Sequence, residues 1–546
     1  MANYKKNPGA ISMSFFKKKS RKSTSINDQM ELPQKNLDSS ALDENLERNL
    51  ATFKDLYGNS SDLVIRKIKF GEDKKLQIGM IYLDGLVDRQ MMDDLLDAFM
   101  FQMKDSQVTL DSLDKDDVAT LLKNTSIPIA ETTELYQLQD MESAILCGGA
   151  ILLIDGVTSG LKINVSGWKE RGVTESSTEN VVRGPKESFT ETLRTNTSLV
   201  RRKIKDSSLR IEELQVGKIT KTDIAIVHIE GITNEKIVEE VRSRIKRIEI
   251  DSILESSYIE ELIEDETYTP FPTLYNTERP DVIAAGLLEG RVAIFVDGTP
   301  FVLLAPALFT QFFQSAEDYY QRWDIATLLR MLRVLAFFVS LLGPSLYIAL
   351  INFHQEMLPT TLLIDLAAQR EGVPFPAVIE ALLMEVTLEI LREAGLRLPK
   401  AIGQTVSIVG ALVIGQTAVE AGIVSATMVI VVSITAISNF ILPSFSMGIS
   451  IRILRFGFII FAATFGLYGI TIGLFFLTLH LCSLRSFGVP FLTPIAPFVK
   501  EDQKDTLWRM PTWKRYTRPR LVSKQNSIRE NEVTKKNSQL GQRSEG

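Results

Sequence analysis

The stretch FGFIIFAATFGLYGITIGLFFLTLHLCSL, residues 456–484, contains no charged side chain when His480 is counted as neutral. A second charge-free stretch runs from Val334 to Phe353, and between Ala401 and Ile451 the only ionisable side chain is Glu420. Because a helix needs about 20 apolar residues to cross the hydrocarbon core of a bilayer, these stretches predict membrane-spanning helices. We expect a membrane domain over 311–498, with spans near 331–353, 403–420, 423–442 and 456–482.

Upstream of Asp324 the composition is that of a water-exposed region, because charged residues recur every few positions. Over the whole chain, 61 Lys and Arg side chains stand against 67 Asp and Glu, and the net charge of −6 argues against a nucleic-acid-binding protein. Three distant histidines and two cysteines exclude an HExxH metal site and a disulfide framework. This half has no Walker loop and no GxSxG elbow. We therefore predict no catalytic residue, no metal site and no cofactor.

The flanks of the apolar stretches determine the expected orientation. Residues 1–50 are polar and contain no apolar signal segment. Arg330 and Arg333 flank the first span on its N-terminal side, and a basic segment follows the last span. The positive-inside rule then places both termini in the cytoplasm, with an even number of crossings, which we count as four. We expect a disordered basic tail over 1–59 and a basic cytoplasmic tail over 499–546, solubilising or touching anionic lipid.

The soluble half contains four apolar strands that each end in an acidic residue and a glycine. These pairs are Asp84-Gly85, Asp155-Gly156, Glu230-Gly231 and Asp297-Gly298. The first and third lead into helical runs, whereas the second and fourth lie at hairpin turns, where Asp-Gly tolerates a positive φ. Corresponding glycines are 146 and 142 residues apart, and such near-equal offsets indicate a tandem duplication. We predict two α/β lobes, 60–170 and 208–310, with the acidic residues serving turns rather than catalysis.

The segment between the lobes, residues 171–207, contains a polar stretch and then a basic helical run. One interpretation is a solvated linker. The other is a strap that docks two lobes or two subunits, because Arg, Glu, Asn and Phe are mixed without low-complexity bias. The residues assigned to docking are Arg183, Gly184, Pro185, Glu187, Arg194, Asn196, Arg201 and Arg202.

Several motifs resemble those of one known family. The most specific are STENVVRGPKE at residues 177–187 and AAQREGVPFP at residues 367–376. Others are LRTN at 193–196, YTPFP at 268–272, ERPD at 278–281, EGRVA at 289–293, EDYY at 317–320 and EAGLRLPK at 393–400. Over residues 60–498 the chain resembles the A subunit of GerA-type spore germinant receptors.

The resemblance implies a membrane subunit of a complex in the spore inner membrane. It implies two partner proteins, a multispanning B subunit that binds nutrients and a lipoprotein C subunit. It further implies that A subunits form a homo-oligomeric, ligand-gated channel that releases cations early in germination.

A polar stripe interrupts the membrane half between the first and second predicted spans. Residues 376–397 read as a helix on which Glu385, Glu389 and Glu393 share one side, beside an apolar face. One interpretation is an amphipathic helix at the membrane surface with solvated carboxylates. The other is that an oligomer turns the stripe toward a central pore, where rings of carboxylates attract cations.

Two further patterns bear on gating. Gly343-Pro344 lies in the middle of the first span, where proline removes a backbone hydrogen bond, so it is a candidate hinge or a static kink. The small residues Gly403, Ser407, Ala411 and Gly415 recur every four residues. This spacing predicts close helix packing or, in the alternative, a moving interface.

The residues leave three functions open. A receptor–channel subunit has lobes that set the oligomer and helices that line a cation path. A secondary transporter also uses broken helices and buried carboxylates, although the membrane half shows no inverted repeat. A non-conducting scaffold of the germination complex is the third alternative.

Overall fold

The computed structural model describes residues 42–70, 76–105, 132–167, 179–398, 415–523, 526 and 528–529. Two five-stranded sheets occupy the first half of the chain, and long apolar helices occupy the second half. The predicted order, an α/β region followed by a helical region, is therefore confirmed.

Lobe 1 is built around an antiparallel sheet with the strand order β1-β2-β4-β5-β3. Its elements are α1 (Leu46–Leu56), β1 (Leu63–Phe70), β2 (Leu76–Leu83), α2 (Arg89–Asp105), β3 (Thr132–Leu135), α3 (Leu138–Leu146), β4 (Ala150–Ile154) and β5 (Gly160–Ile163).

The interior strand β2 shows why this sheet is covered on both faces. Side chains alternate between faces along a strand, so Ile81 and Leu83 pack with α1, whereas Met80 and Tyr82 pack with the start of α2. The period-2 pattern of apolar residues thus places a helix on each side.

Lobe 2 repeats this arrangement, with the strand order β6-β7-β9-β10-β8. Its elements are α4 (Leu193–Lys203), β6 (Leu209–Val216), β7 (Thr222–Ile229), α5 (Glu235–Lys246), α6 (Ser256–Ile263), β8 (Tyr275–Thr277), α7 (Pro280–Leu288), β9 (Val292–Val296) and β10 (Val302–Ala305). The first to fifth strands along the chain of lobe 2 take the same places in the sheet as the first to fifth strands of lobe 1. This is the tandem duplication that the near-equal spacing of the glycines predicts.

The hairpin Asp-Gly pairs hold the first helix of each lobe. Asp155 Oδ1 accepts a hydrogen bond of 3.2 Å from the Leu46 amide, and Asp297 Oδ1 accepts one of 2.9 Å from the Leu193 amide. The following glycines have φ of 84° and 90°, the left-handed region that glycine adopts without a Cβ clash. These pairs are turn residues, as predicted, and they also satisfy helix N-terminal amides.

These caps correct two predicted boundaries. The expectation of a disordered tail to residue 59 is wrong for residues 42–59, because α1 buries Leu46, Leu50 and Phe53 against lobe 1. Likewise, the second half of the predicted strap is α4, the first helix of lobe 2. The aspartate that caps α1 lies 109 residues after Leu46, and the one that caps α4 lies 104 residues after Leu193. Partners this far apart cannot be recognised from the local sequence.

The second half is helical. A short helix α8 (Glu317–Tyr320) precedes α9 (Trp323–Asn352), α10 (Thr360–Arg370), α11 (Ala377–Arg397), α12 (Ala426–Phe440) and α13 (Phe445–Ser483). Among the described residues, α9 and α13 are long and apolar enough to cross a membrane, and α12 is a shorter apolar helix. Most of the predicted span 403–420 lies outside the described residues.

Helix α13 is a hairpin and not one rod. The backbone of Gly466 is non-helical, with φ 59° and ψ −137°. A Cβ on Gly473 would lie 2.8 Å from Phe458 Cε1, whereas 15 residues of straight helix separate two positions by about 22 Å. Ser450 Oγ and His480 Nε2 also meet the neighbouring residues Pro270 and Thr269. The prediction of a single span at 456–482 is therefore wrong, because the segment reverses at Gly466.

The chain after α13 returns to lobe 2. Strands β11 (Arg485–Ser486) and β12 (Val489–Pro490) form a small hairpin, and Arg518 Nε donates to the Leu288 carbonyl at 2.9 Å. Ser523 Oγ donates to the Ile232 carbonyl at 2.8 Å, and Val522 is fully buried. Within the described part of the predicted tail 499–546, residues 518–523 are thus bound to lobe 2.

Candidate functional site

Helix α11 matches the predicted polar helix to within one residue and lies against α9, α12 and α13. It runs antiparallel to the first half of α13, because Glu385 pairs with Arg455 and the later Glu389 pairs with the earlier Arg452. Two carboxylates of the polar stripe, Glu385 and Glu389, therefore face arginines of a neighbouring helix within one chain.

Arg455 forms the most buried of these contacts, with 2% of its surface exposed, against 4% for Glu385. Its Nη1 donates to Glu385 Oε2 at 2.6 Å, its Nε donates to the Ser340 carbonyl at 2.7 Å, and its Nη2 donates to Ser340 Oγ at 2.9 Å. A buried charge is stable only when it is paired and hydrogen-bonded, and Arg455 meets both conditions. We call Arg455, Glu385 and Ser340 the membrane joint, since they connect α13, α11 and α9.

The predicted hinge explains why the Ser340 carbonyl is available. In an α-helix this carbonyl accepts from the amide four residues later, which here is Pro344, and proline has no amide hydrogen. Arg455 supplies the missing donor from another helix. Helix α9 continues from Trp323 to Asn352 through Pro344. The adjacent Gly343 packs closely on α12, because a Cβ there would lie 2.6 Å from Thr435 Oγ1.

The other two predicted pore residues are more open. Glu389 pairs with Arg452 and is 46% exposed, and Glu393 pairs with Arg397 at 2.7 Å and is 59% exposed. On the apolar side of α11, Ile379 and Ile390 are 44% and 64% exposed. The chain thus turns the first carboxylate inward and leaves the later two on its surface.

A fourth carboxylate was missed as a site residue. Glu380 is fully buried, and its Oε2 accepts hydrogen bonds from the Ser425 amide at 3.0 Å and from Ser425 Oγ at 2.9 Å. Arg370 lies 3.4 Å from its other oxygen. The negative charge meets the N-terminus of α12, where the helix dipole favours an anion. Glu380 points away from the polar stripe, and its position on the helix gave no indication that it pairs with Ser425, 45 residues later.

Among the docking residues, Arg201 makes the central contact between the lobes. Its Nε and Nη2 donate to the two oxygens of Asp62 at 2.9 and 3.0 Å, and its Nη1 donates to the Asp206 carbonyl at 3.1 Å. Ser60 Oγ lies 3.4 Å from Nη2 and donates to Asp62 at 2.6 Å. We call Arg201, Asp62 and Ser60 the lobe joint. Burial at this joint raises the pKa of the neighbouring Tyr57.

Arg194 makes a second bridge between the lobes. It lies 3.2 Å from Asp84, at the end of β2 in lobe 1, and 2.9 Å from Glu213 in β6 of lobe 2. A Cβ on Gly85 would lie 3.0 Å from the Ser198 side chain, so the acid–glycine pair of lobe 1 is where α4 docks.

The other docking residues act within lobe 2 or on its surface. Asn196 closes its own helix N-terminus through Thr190, and Arg202 lies 3.4 Å from Glu187. Pro185 accepts a hydrogen bond of 2.9 Å from Arg279 Nη2 through its carbonyl, and Gly184 lies against the ring of Tyr320. Arg183 is exposed. The structure therefore brings Arg194 and Arg201 to the lobe interface and leaves the other six outside it.

Sequence reasoning missed Ser60 and Asp62, which carry the lobe 1 side of the joint. The signal was the polar run Asn59-Ser60-Ser61-Asp62 directly before a strand, at the very start of predicted lobe 1. Among the described residues, no group of three or more His, Cys, Asp and Glu side chains is arranged to hold a metal ion.

The comparisons with known proteins agree with the motifs. The family model for the Bacillus/Clostridium GerA spore germination protein matches residues 51–521. The chain is 51% identical to spore germination protein KA of Bacillus subtilis, over 89% of this chain and 88% of that protein. It is 46% identical to the uncharacterized membrane protein YfkQ of the same organism, over 88% and 92%.

A solved structure also matches. The N-terminal domain of the A subunit of the Bacillus megaterium spore germinant receptor GerK3 is 41% identical, covers 50% of this chain and 98% of that chain, and superposes with a TM-score of 0.39. With a family model matching most of its length and a relative identical at half of the aligned positions, the chain belongs to the GerA family of spore germination proteins.

Proposed function

We propose that this chain is the A subunit of a nutrient germinant receptor, a multi-pass protein of the spore inner membrane with both termini in the cytoplasm. It assembles with a multispanning B subunit and a lipoprotein C subunit. Copies of it enclose a cation path that opens when the receptor binds its germinant. This role is consistent with the membership in a spore germination family.

The apolar surface of the helices supports membrane insertion. Phe338 on α9, Ile434 on α12 and Phe475 on α13 are 46%, 51% and 62% exposed in the single chain. Water does not stabilise so much exposed apolar surface, whereas lipid chains do. The hairpin in α13 makes two passes, so it returns the chain to the side of lobe 2, where the C-terminal segment binds.

One observation carries the channel proposal. Glu389 and Glu393 are 46% and 59% exposed on a helix packed beside membrane-length apolar helices. Once the helices are inserted as proposed, ionisable groups on α11 are costly unless they face water or protein, which favours neighbouring copies or a hydrated path around them. Glu385 remains part of the proposed cation path. Its role there is structural, because its carboxylate is already paired with Arg455.

Planar bilayers with purified protein test this proposal. Unitary currents are expected, and Glu389→Gln and Glu393→Gln are each expected to lower the preference for cations. A matched control is Glu356→Gln, which removes one carboxylate in the short turn between α9 and α10. Saturable flux without unitary currents would favour the transporter alternative, and neither currents nor flux would favour the scaffold.

A further inference from the structure

The segment after the last helix carries a surface of its own. Between residues 495 and 516, six large apolar or aromatic side chains are 37% to 72% exposed. They are Ile495, Phe498, Leu507, Trp508, Trp513 and Tyr516. Two of the four tryptophans of the chain lie in this segment. We call it the aromatic segment.

The aromatic segment lies beside the first turns of α9. The Arg509 amide and the Thr327 hydroxyl are 3.2 Å apart, and the Thr506 carbonyl accepts from Arg330 at 3.2 Å. Ile325 and Leu328, in the same turns of α9, are 47% and 69% exposed. The exposed aromatic side chains therefore continue the apolar surface of α9 at the end nearest the lobes.

The acidic and the basic side chains of the aromatic segment differ in their surroundings. Of its three acidic residues, Asp505 is bound inward by Arg330 at 2.8 Å and by Arg515 at 2.6 Å, and Asp502 accepts a hydrogen bond of 3.0 Å from the Arg520 amide. Glu501 is partly exposed and is paired with Arg520. The exposed charges of the segment include Lys500 and Lys514, and Lys514 Nζ lies 4.8 Å from the ring centre of Trp513. An outward surface of indole rings and ammonium groups suits the boundary between acyl chains and anionic headgroups.

We propose that the aromatic segment is a membrane-surface anchor that binds the anionic headgroups of the cytoplasmic leaflet. Trp508 and Trp513 lie at the level of the headgroups, and Lys500 and Lys514 contact the lipid phosphates. The anchor rests on the membrane insertion proposed above. It fixes the height of lobe 2 above the bilayer, because the segment binds the start of α9 and Arg518, two residues after it, binds lobe 2.

Quenching by brominated lipid tests the location of the segment. Full-length variants that keep only Trp508 or only Trp513, the other tryptophans being replaced by phenylalanine, are reconstituted into phosphatidylglycerol vesicles. Bromines near the headgroup end of the acyl chains are expected to reduce the emission of either tryptophan by about half. Two further variants lack all four native tryptophans and carry either Phe338→Trp in α9 or Tyr136→Trp in lobe 1.

The two reporters separate the failures. Quenching of the Phe338→Trp variant without quenching of Trp508 and Trp513 would overturn the anchor and leave membrane insertion standing. Absence of quenching at Trp508, at Trp513 and in the Phe338→Trp variant would overturn the insertion and the anchor together. Quenching of Trp508 no stronger than that of the Tyr136→Trp variant would also refute the anchor.

Lipid composition tests the headgroup contact. In phosphatidylcholine vesicles the quenching of Trp508 is expected to weaken, and Lys500→Gln with Lys514→Gln is expected to remove the difference between the two lipids. The matched control is Lys218→Gln with Lys236→Gln, two exposed lysines of lobe 2. Equal quenching of the unsubstituted segment in both lipids would contradict the anionic contact.

Discussion

Arg201 and Arg455 have the same chemistry in two different surroundings. Each is at most 2% exposed, and each binds one carboxylate, one backbone carbonyl and one serine hydroxyl. Arg201 joins two lobes whose apolar side chains form separate clusters, whereas Arg455 lies within a single cluster that runs from lobe 2 into the helices. Loss of the first arginine should therefore separate two folded units, and loss of the second should destabilise the helices themselves.

The largest effect is expected from Arg455→Ala in the membrane joint. This change leaves Glu385 buried without a counter-charge and the Ser340 carbonyl without a donor. Removal of one partner of a buried ion pair costs about 3–5 kcal/mol. We expect thermal unfolding of the detergent-extracted protein at a markedly lower temperature than for the unsubstituted chain.

Two further variants show whether the pairing or the arginine alone is responsible. Arg397→Ala removes the same charge from a side chain that is 79% exposed, and it should be nearly silent. Arg455→Met combined with Glu385→Leu removes both charges and should recover most of the stability. If the double variant were as unstable as Arg455→Ala, the buried, unpaired carboxylate of Glu385 would not be the cause of the lost stability.

The second effect is expected from Arg201→Ala in the lobe joint. Asp62 then loses both hydrogen bonds to the guanidinium, at a cost of about 3 kcal/mol. Since lobe 1 has its own core, we expect it to remain folded and to separate from lobe 2. Limited proteolysis should then cleave the full-length chain faster in residues 57–62 and 179–192, and circular dichroism should change little.

The control for this experiment is Arg183→Ala, in the same strap but exposed. Both variants lose one positive charge, so a difference between them reports the joint. Cooperative loss of secondary structure in Arg201→Ala would show that the two lobes fold as one unit, and the contrast with Arg455 would fail.

The repeat and the apolar helices could be predicted from the sequence because their signals are local. Strand–acid–glycine units recur at fixed offsets, and the helix predicted at 376–397 is found at Ala377–Arg397. The reversal at Gly466 escaped prediction, because a glycine within a long apolar run is also common in straight membrane helices. The positive φ of Gly466, the contact of Gly473 with Phe458 and the meeting of both ends of α13 at residues 269–270 distinguish the hairpin.

The two joints could be predicted only in part, for a physical reason. Arg201 was assigned to docking, but its partner Asp62 lies 139 residues away. Glu385 was identified as a stripe residue, yet its partner Arg455 lies 70 residues later. Long-range ion pairs depend on which helices meet, and periodicity within one helix does not determine that.

A smaller effect is expected from Ser340→Ala, which sharpens the comparison inside the membrane joint. The substitution removes the hydroxyl that accepts from Arg455 Nη2 and keeps the carbonyl and Glu385. Hydrogen bonds between membrane helices contribute about 0.6 kcal/mol on average, so a loss of about that size is expected in thermal unfolding. Thr464→Ala, whose hydroxyl bonds only its own helix, is the matched control. A loss as large as that of Arg455→Ala would mean that the hydroxyl, and not the ion pair, dominates the joint.

The smallest effect on stability is expected from Glu393→Gln, at the open end of the same stripe. Glu393 pairs with Arg397 one helical turn later, and both side chains are more than half exposed. Exposed pairs of this kind contribute at most about 0.5 kcal/mol, so the unfolding temperature of the variant should match that of the unsubstituted chain. This near-neutrality makes Glu393 informative about function, because a change in cation selectivity cannot then be attributed to a damaged fold. An unfolding temperature as low as that of Arg455→Ala would instead place Glu393 in a buried contact between copies. The increase in exposure from Glu385 to Glu393 along α11 would then not hold in the assembled protein.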